Sequence, residues 1–458
     1  MNTNNKFVLF VISFLITLLL FINVAHSQEM KDKDGEFYKY KLKNGLDVII
    51  VENHTVPLST IVITAKNGAY TESPEYNGLS HFYEHMFFKG NKEIPTQEEY
   101  MKKIRNLGIV YNGYTTRELV VYFFTLPVYN LDEGLKFMNA AIRTPLFDES
   151  EIKKEKTVIL GEYDRNESSP RFHLDRALNQ KLFWKYFSRV NTIGDREVIK
   201  NATREQFETI QGKYYVPNNC VLFVVGDVNH DEVFKKVEAM YSDWKSGDDP
   251  FVKNPIPEHP VLAKTEKLIV NYPAKTPILS TYWRGPDVDK DTKASHALDV
   301  FFTALQLPSS KFQKSLVESG LASSCSMSYY TGKTSAEIFM SSSLSADKVN
   351  AFRKQFEKEL VNMKDSNYIT DEELDSAKKN MEIEYLYGKE NSQEYATGSL
   401  AFGWAVTGFD YYQNYVEEIN KVTKADIKNA LDKYIFNKNY AMGILVSKED
   451  QAKYKIGF

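Results

Sequence analysis

Two spacings of apolar residues alternate along this chain. Continuous or alternating apolar runs predict strands over 46–51, 58–65 and 120–126. Apolar positions recurring three and four apart predict helices over 96–107, 130–142, 149–166, 293–305, 346–363 and 371–387. Strand runs broken by helix pairs do not fit simple βαβ alternation and point to the α+β class.

The pattern also repeats. TREQFETIQGKYYVPNNCVLFVVGD begins at Thr203 and TKADIKNALDKYIFNKNYAMGILVS at Thr423. At a constant offset of 220, Thr203, Lys213, Tyr214 and Asn219 meet Thr423, Lys433, Tyr434 and Asn439 without a gap. Each copy reads as an amphipathic helix leading into a buried strand, over 221–225 and 441–446. Between the copies, 246–260 holds four prolines and a small acidic cluster, which disfavour helix and central strand. The expected fold is α+β: two duplicated α/β-roll-like domains, each an antiparallel sheet with helices, facing across a cavity. Their expected bounds are 28–245 and 263–458, joined by a linker at 246–262.

Composition adds limits. A chain of 458 residues exceeds one ordinary core, and 43% hydrophobic with 26% charged residues suits a folded protein. A formal net charge of −4, with no basic run interleaved with aromatics, argues against a nucleic-acid partner. Cys220 and Cys325 alone make neither a disulfide framework nor a zinc–thiolate site. At the N-terminus, Lys6 precedes an apolar stretch at 7–25, and Ala25-His26-Ser27 is a small-x-small signal before Gln28. Residues 1–27 therefore read as a cleaved signal peptide, which implies a periplasmic or secreted protein without stable membrane insertion. The apolar stretch nears spanning length, so retention as an anchor is the competing reading.

Candidate chemistry sits in His81-Phe82-Tyr83-Glu84-His85. On a helix, residues four apart share a face, so both imidazoles can reach one ion. Glu84 lies beside that face, where a carboxylate can take a proton from a water at the metal. The order is the inverse of the H-E-x-x-H zinc motif. Such a site needs a third protein ligand, and among 61 acidic residues composition does not single one out.

The stretch NGLSHFYEHMFFKG, Asn77 to Gly90, resembles the inverzincin signature of the pitrilysin, insulysin and mitochondrial processing peptidase family. The resemblance implies a zinc metalloendopeptidase with one Zn²⁺ per chain, and it is closest to the half-length, two-domain branch. It implies Glu84 as general base and, by the family's spacing, Glu162 as third ligand beside His81 and His85. His/His/Glu sets also accept manganese or cobalt. Glu155 matches a second acidic position and is a further catalytic candidate, the alternative being a solvated helix face. Gly108 to Thr115, followed by Tyr122, is similar to a G-x-x-x-N-A-x-T-strand pattern whose edge pairs with substrate. This makes Asn112, Gly113 and Tyr122 substrate-binding candidates, with Gly113 in place of the usual alanine and Asn112 alternatively a turn residue.

In the second repeat, Ser295-His296-Ala297-Leu298-Asp299-Val300 stands where the motif would fall. Valine replaces the second ligand, so no metal is expected there. Val317 and Ser323 occupy positions where the family carries a substrate-gripping arginine and tyrosine. The resemblance then implies a heterodimer with a homologous exported chain that lacks the zinc motif but keeps that pair. The alternative is a homodimer in which Tyr329 or Tyr330 substitutes. The competing function is an inactive structural or peptide-binding subunit.

Overall fold

The computed structural model describes residues 37–458 and the backbone of the short strand at 30–31. The expected signal peptide lies outside the described residues. Strands β1 (Met30–Lys31), β2 (Tyr38–Lys41), β3 (Asp47–Glu52), β4 (Leu58–Ala65), β5 (Val110–Thr115), β6 (Val120–Pro127) and β7 (Cys220–Gly226) form one sheet, ordered β1-β2-β3-β7-β4-β6-β5. Strands β8 (Glu266–Asn271), β9 (Ile278–Arg284), β10 (Ser324–Tyr330), β11 (Glu337–Ser343) and β12 (Ala441–Val446) form a second, ordered β10-β11-β9-β12-β8.

The second sheet repeats the topology of the first. In each, the first and last strands of the five-strand unit pair in parallel, β3 with β7 and β8 with β12. All other neighbours within the unit are antiparallel. The chain is thus α+β and duplicated, as the repeated sequence implies.

The helices that matter here are α1 (Leu79–Phe87), α2 (Gln97–Leu107), α3 (Leu131–Arg143), α4 (Glu149–Glu167), α5 (Pro170–Leu182), α6 (Arg204–Tyr214), α7 (Thr292–Gln306), α8 (Asp371–Tyr387) and α9 (Lys424–Tyr434). The equivalent helices α6 and α9 both start on a capping box, Thr203 with Gln206 and Thr423 with Asp426. These pairs satisfy otherwise orphaned N–H groups and fix where each helix begins. The proline-rich stretch holds a single-turn helix, Pro250–Lys253, against the expectation of none. Asp249 caps it and Pro250 occupies its first turn, the one place a helix tolerates proline.

Each sheet is covered on both faces. Tyr122, Phe124 and Leu126 of the first sheet pack under the helices of its own half, with Phe82, Leu135 and Phe207. Val121, Phe123 and Val225 on the opposite face meet Tyr395, Leu400 and Val406 from the C-terminal half. In return, Leu174, Leu178 and Leu182 of α5 cover Ile278, Ala441 and Leu445 of the second sheet. The repeats therefore exchange equivalent helical segments and bury apolar area between them.

A polar clasp adds to this exchange. The Glu118 carboxylate accepts from the backbone N–H groups of Lys333 (2.8 Å) and Thr334 (2.9 Å) and from the Thr334 hydroxyl (3.0 Å). Beside it, Arg117 donates to the Glu337 carboxylate at 3.0 Å and to the Ser335 carbonyl at 3.1 Å. Among the described residues, no helix is long and apolar enough to cross a membrane.

Candidate metal centre

Helix α1 carries the two histidines, and its start is fixed in an unusual way. Gly78 precedes it at φ +97°, and a Cβ there would stand 2.7 Å from the Gly194 Cα. Only glycine suits that left-handed, backbone-against-backbone contact. Glycine has no side chain with which to cap the helix, so the cap comes from a distance. The buried Glu72 accepts from Gly78 N at 2.7 Å, from Ser80 N at 2.8 Å and from the Asn77 amide at 3.0 Å. Nothing in the local sequence around Glu72 signals this role.

The next turn brings the donors together. His81 Nε2 lies 3.3 Å from His85 Nε2, and Glu162 Oε2 on α4 lies 3.7 Å from each. Tetrahedral zinc with bonds of about 2.0–2.2 Å separates its ligand atoms by roughly 3.3–3.6 Å. These three residues therefore fit one such ion. Burial and the neighbouring His85 push His81 down to about 3, keeping its imidazole neutral with a lone pair to give.

Supporting groups surround this triangle. His85 Nδ1 meets Glu155 Oε1 at 2.8 Å, and Glu155 Oε2 meets Lys89 Nζ at 2.6 Å. For His85, burial works downward, but the Glu155 hydrogen bond and three nearby carboxylates hold it above its ordinary range. Burial would raise Glu155 itself; its bonds to His85 and Lys89 outweigh that and hold it low. A carboxylate behind a ligand histidine fixes ring orientation and tautomer. Glu155 is buried in that position, neither solvated nor facing the cavity with a free oxygen.

Glu84 stands to the side, its closest donors lying within 4.8 Å of those of both histidines. Its Oε2 accepts from the Thr115 hydroxyl of β5 at 3.1 Å. Burial, and then the Glu162 charge, raise Glu84 to about 7 against the opposing pull of His85 and Thr115. Gly113 packs closely on this carboxylate: a Cβ there would lie 2.9 Å from Glu84 Oε1 and 3.1 Å from the Val121 carbonyl. Asn112 also borders the site, with Oδ1 accepting from Gly113 N at 2.9 Å. These groups line a cavity of about 600 Å³ together with Tyr111 and Tyr114.

Tyr122 does not belong to this set. It is fully buried, its hydroxyl pairs with Tyr215 at 2.9 Å and its ring stacks on Phe87 at 4.0 Å. With side chains of β6 buried on both faces, Tyr122 is a core residue and cannot touch a peptide. Sequence reasoning also missed Thr115 and Lys89; the strand pattern that marks Asn112 contains Thr115 three places on.

In the second repeat Val300 stands in place of the second histidine, and the other two motif positions have different partners. His296 stacks on Tyr411, with ring centroids 4.5 Å apart, and Asp299 accepts from the Tyr415 hydroxyl at 3.0 Å.

Comparison with known proteins gives the family. The profile of insulinase (peptidase family M16) matches residues 47–192, and that of the peptidase M16 inactive domain matches 201–381. An uncharacterized zinc protease of Rickettsia felis is 25% identical over 406 residues, covering 86% of this chain and 93% of that one. The uncharacterized zinc protease YmxG of Bacillus subtilis is 23% identical over 410 residues, covering 89% and 97%. The crystal structure of a protease from Helicobacter pylori superimposes with a TM-score of 0.80 at 22% identity, over 92% of this chain and 100% of that one. With two profiles of one family matching 47–192 and 201–381, and relatives of the same length, the chain belongs to peptidase family M16, in its half-length, two-domain form.

Proposed function

We propose that the chain is a zinc-dependent endopeptidase that hydrolyses extended, unstructured peptides in an exported compartment. One observation carries the reading: His81 Nε2, His85 Nε2 and Glu162 Oε2 converge at 3.3–3.7 Å, with the Glu84 carboxylate within 4.8 Å of both histidines. Bound zinc supplies Lewis acidity toward a carbonyl and toward a water molecule. Glu84 takes the water proton and returns it to the leaving amine, while Thr115 holds the carboxylate in place. Glu155 positions His85 from behind. Strand β5 ends its sheet, so its outer backbone groups can pair with an extended peptide passing Asn112 and Gly113. Main-chain pairing suits substrates of varied sequence.

The test is metal content of the purified protein with hydrolysis of an unstructured peptide library. One zinc per chain and activity lost to chelator and restored by zinc are expected; a metal-free, inactive protein that takes up no zinc overturns the reading. An inactive structural subunit has no need of Glu84 beside the donor set.

Export and a partner complete the proposal. Residues 1–27 direct export, and the mature chain should begin at Gln28; an intact Met1 in a membrane fraction would contradict this. On the partner, Val317 packs against the second core and the Ser323 hydroxyl donates to the Ser343 carbonyl at 3.0 Å. The Tyr329 hydroxyl donates to the Pro286 carbonyl, and Arg117 lies over the Tyr330 ring at 4.7 Å. Val317, Ser323 and Tyr329 present no free donor to a substrate, which favours a partner chain that supplies the arginine and tyrosine. Co-expression with such a homologue should give a hetero-complex and about a hundredfold higher activity. Equal activity of the isolated chain, with no complex on sizing, counts against it.

A further inference from the structure

The duplication leaves a second cavity. In the N-terminal half the metal-site cavity lies among α1, β5 and α4. Their counterparts α7, β10 and α8 enclose a cavity of about 470 Å³ in the C-terminal half. That volume is within the usual range for a small-molecule site. A valine in place of the second histidine has not filled this space.

The walls have a definite chemistry. Phe302, Tyr329, Tyr385, Phe402, Tyr411, Tyr412 and Tyr415 supply aromatic surface, and Asp299 and Glu384 supply two carboxylates. Among the described residues, no lysine, arginine or histidine lines the cavity. Asp299 receives the Tyr415 hydroxyl, and burial pushes its carboxyl up to about 7 against the opposing hydrogen bonds of Tyr415 and Tyr411. Glu384 is exposed at the mouth. The rings already attract positive charge within the chain: Lys389 Nζ sits 4.1 Å from the Tyr385 ring centroid. Aromatic faces grouped round a carboxylate are the surroundings that favour a cation with an apolar body, through the ring quadrupoles and the charge together.

We propose that this cavity is a binding site for an organic cation, an ammonium or guanidinium group on a short apolar stem. It is separate from the metal centre and needs neither zinc nor the peptidase reading. Its back wall has a route to the substrate strand. The segment 395–407 lines the cavity through Ser399, Phe402 and Thr407 and packs through Tyr395, Leu400 and Val406 on the first sheet. The Tyr114 hydroxyl of β5 donates to the Thr397 carbonyl of the same segment.

Calorimetric titration of the full chain with choline, with agmatine and with a blocked peptide bearing one arginine tests the site. The uncharged 3,3-dimethylbutan-1-ol is the control. Saturable binding of at least one cation, about tenfold or more tighter than the control, is expected. Tighter binding of choline or agmatine identifies a free small cation, and tighter binding of the peptide a basic side chain. Asp299→Asn and Tyr412→Leu should each weaken it about tenfold. Glu384→Gln, at the exposed mouth, should weaken it in a variant that folds even if Asp299→Asn does not. Glu84→Gln should leave it unchanged. The proposal is overturned if no cation binds below about 10 mM, if the control binds equally, or if the cavity substitutions leave affinity unaltered.

Discussion

Glu155 and Glu162 lie seven residues apart on α4, and that spacing gives them different neighbours. Glu162 turns an oxygen to both imidazoles, whereas Glu155 bonds the far nitrogen of one and a lysine. Glu162→Gln removes the one charged member of the proposed ligand set and should largely abolish zinc binding. Glu155→Gln keeps the ligands but loosens the His85 ring, for an expected fall of about 10- to 100-fold in zinc affinity or activity. Chelator competition on both variants checks the order; tighter zinc retention in Glu162→Gln would mean that the third ligand is another residue. The motif His81 to His85 was legible because helical period alone puts both rings on one face. Glu162 was legible only through resemblance, since one carboxylate among many bears no local mark. Tyr122 misled because β6 is buried on both faces, so alternation along it does not separate core from site.

At the scale of elements, α1 is held by contacts distant in sequence. Gly78 and Gly194 meet backbone to backbone, and Glu72 closes the helix start that Gly78 cannot cap. Glu72→Ala leaves buried N–H groups unpaired, at about 1–3 kcal/mol each, and releases the helix that presents both histidines. We expect a loss of about 2 kcal/mol or more in urea unfolding and weaker zinc binding in the same variant. Unchanged zinc affinity despite lost stability would show that α1 is set by its packing alone. The capping boxes of α6 and α9 could be read from sequence because their partners lie three residues apart. The Glu72 cap and the exchanged helical segments could not, because they join residues that only tertiary packing brings together.

On the scale of the molecule, the halves act as one unit through the helix exchange and the Glu118 clasp. His259, in the connecting stretch, is buried against Phe183, and among the described residues neither ring nitrogen has a hydrogen-bond partner. Burial first, and then Arg284, Arg189 and Arg117, push it down to about 3. The unfolded chain protonates this group near pH 6.5 and the folded chain does not, so stability falls as pH drops below 6.5 and continues to fall toward about 3. The slope is about 1.4 kcal/mol per pH unit, and His259→Phe should lack it. Urea unfolding at pH 6.5 and pH 5 should separate the two proteins by about 2 kcal/mol; parallel losses would place the acid sensitivity elsewhere. The central claim is that one half of this molecule joins a metal to a base that does not bind it. Glu84→Gln tests that most directly, by zinc content and peptide hydrolysis measured on the same preparation. We predict zinc at the wild-type stoichiometry with hydrolysis abolished; loss of the zinc, or turnover near the wild-type rate, would contradict the account.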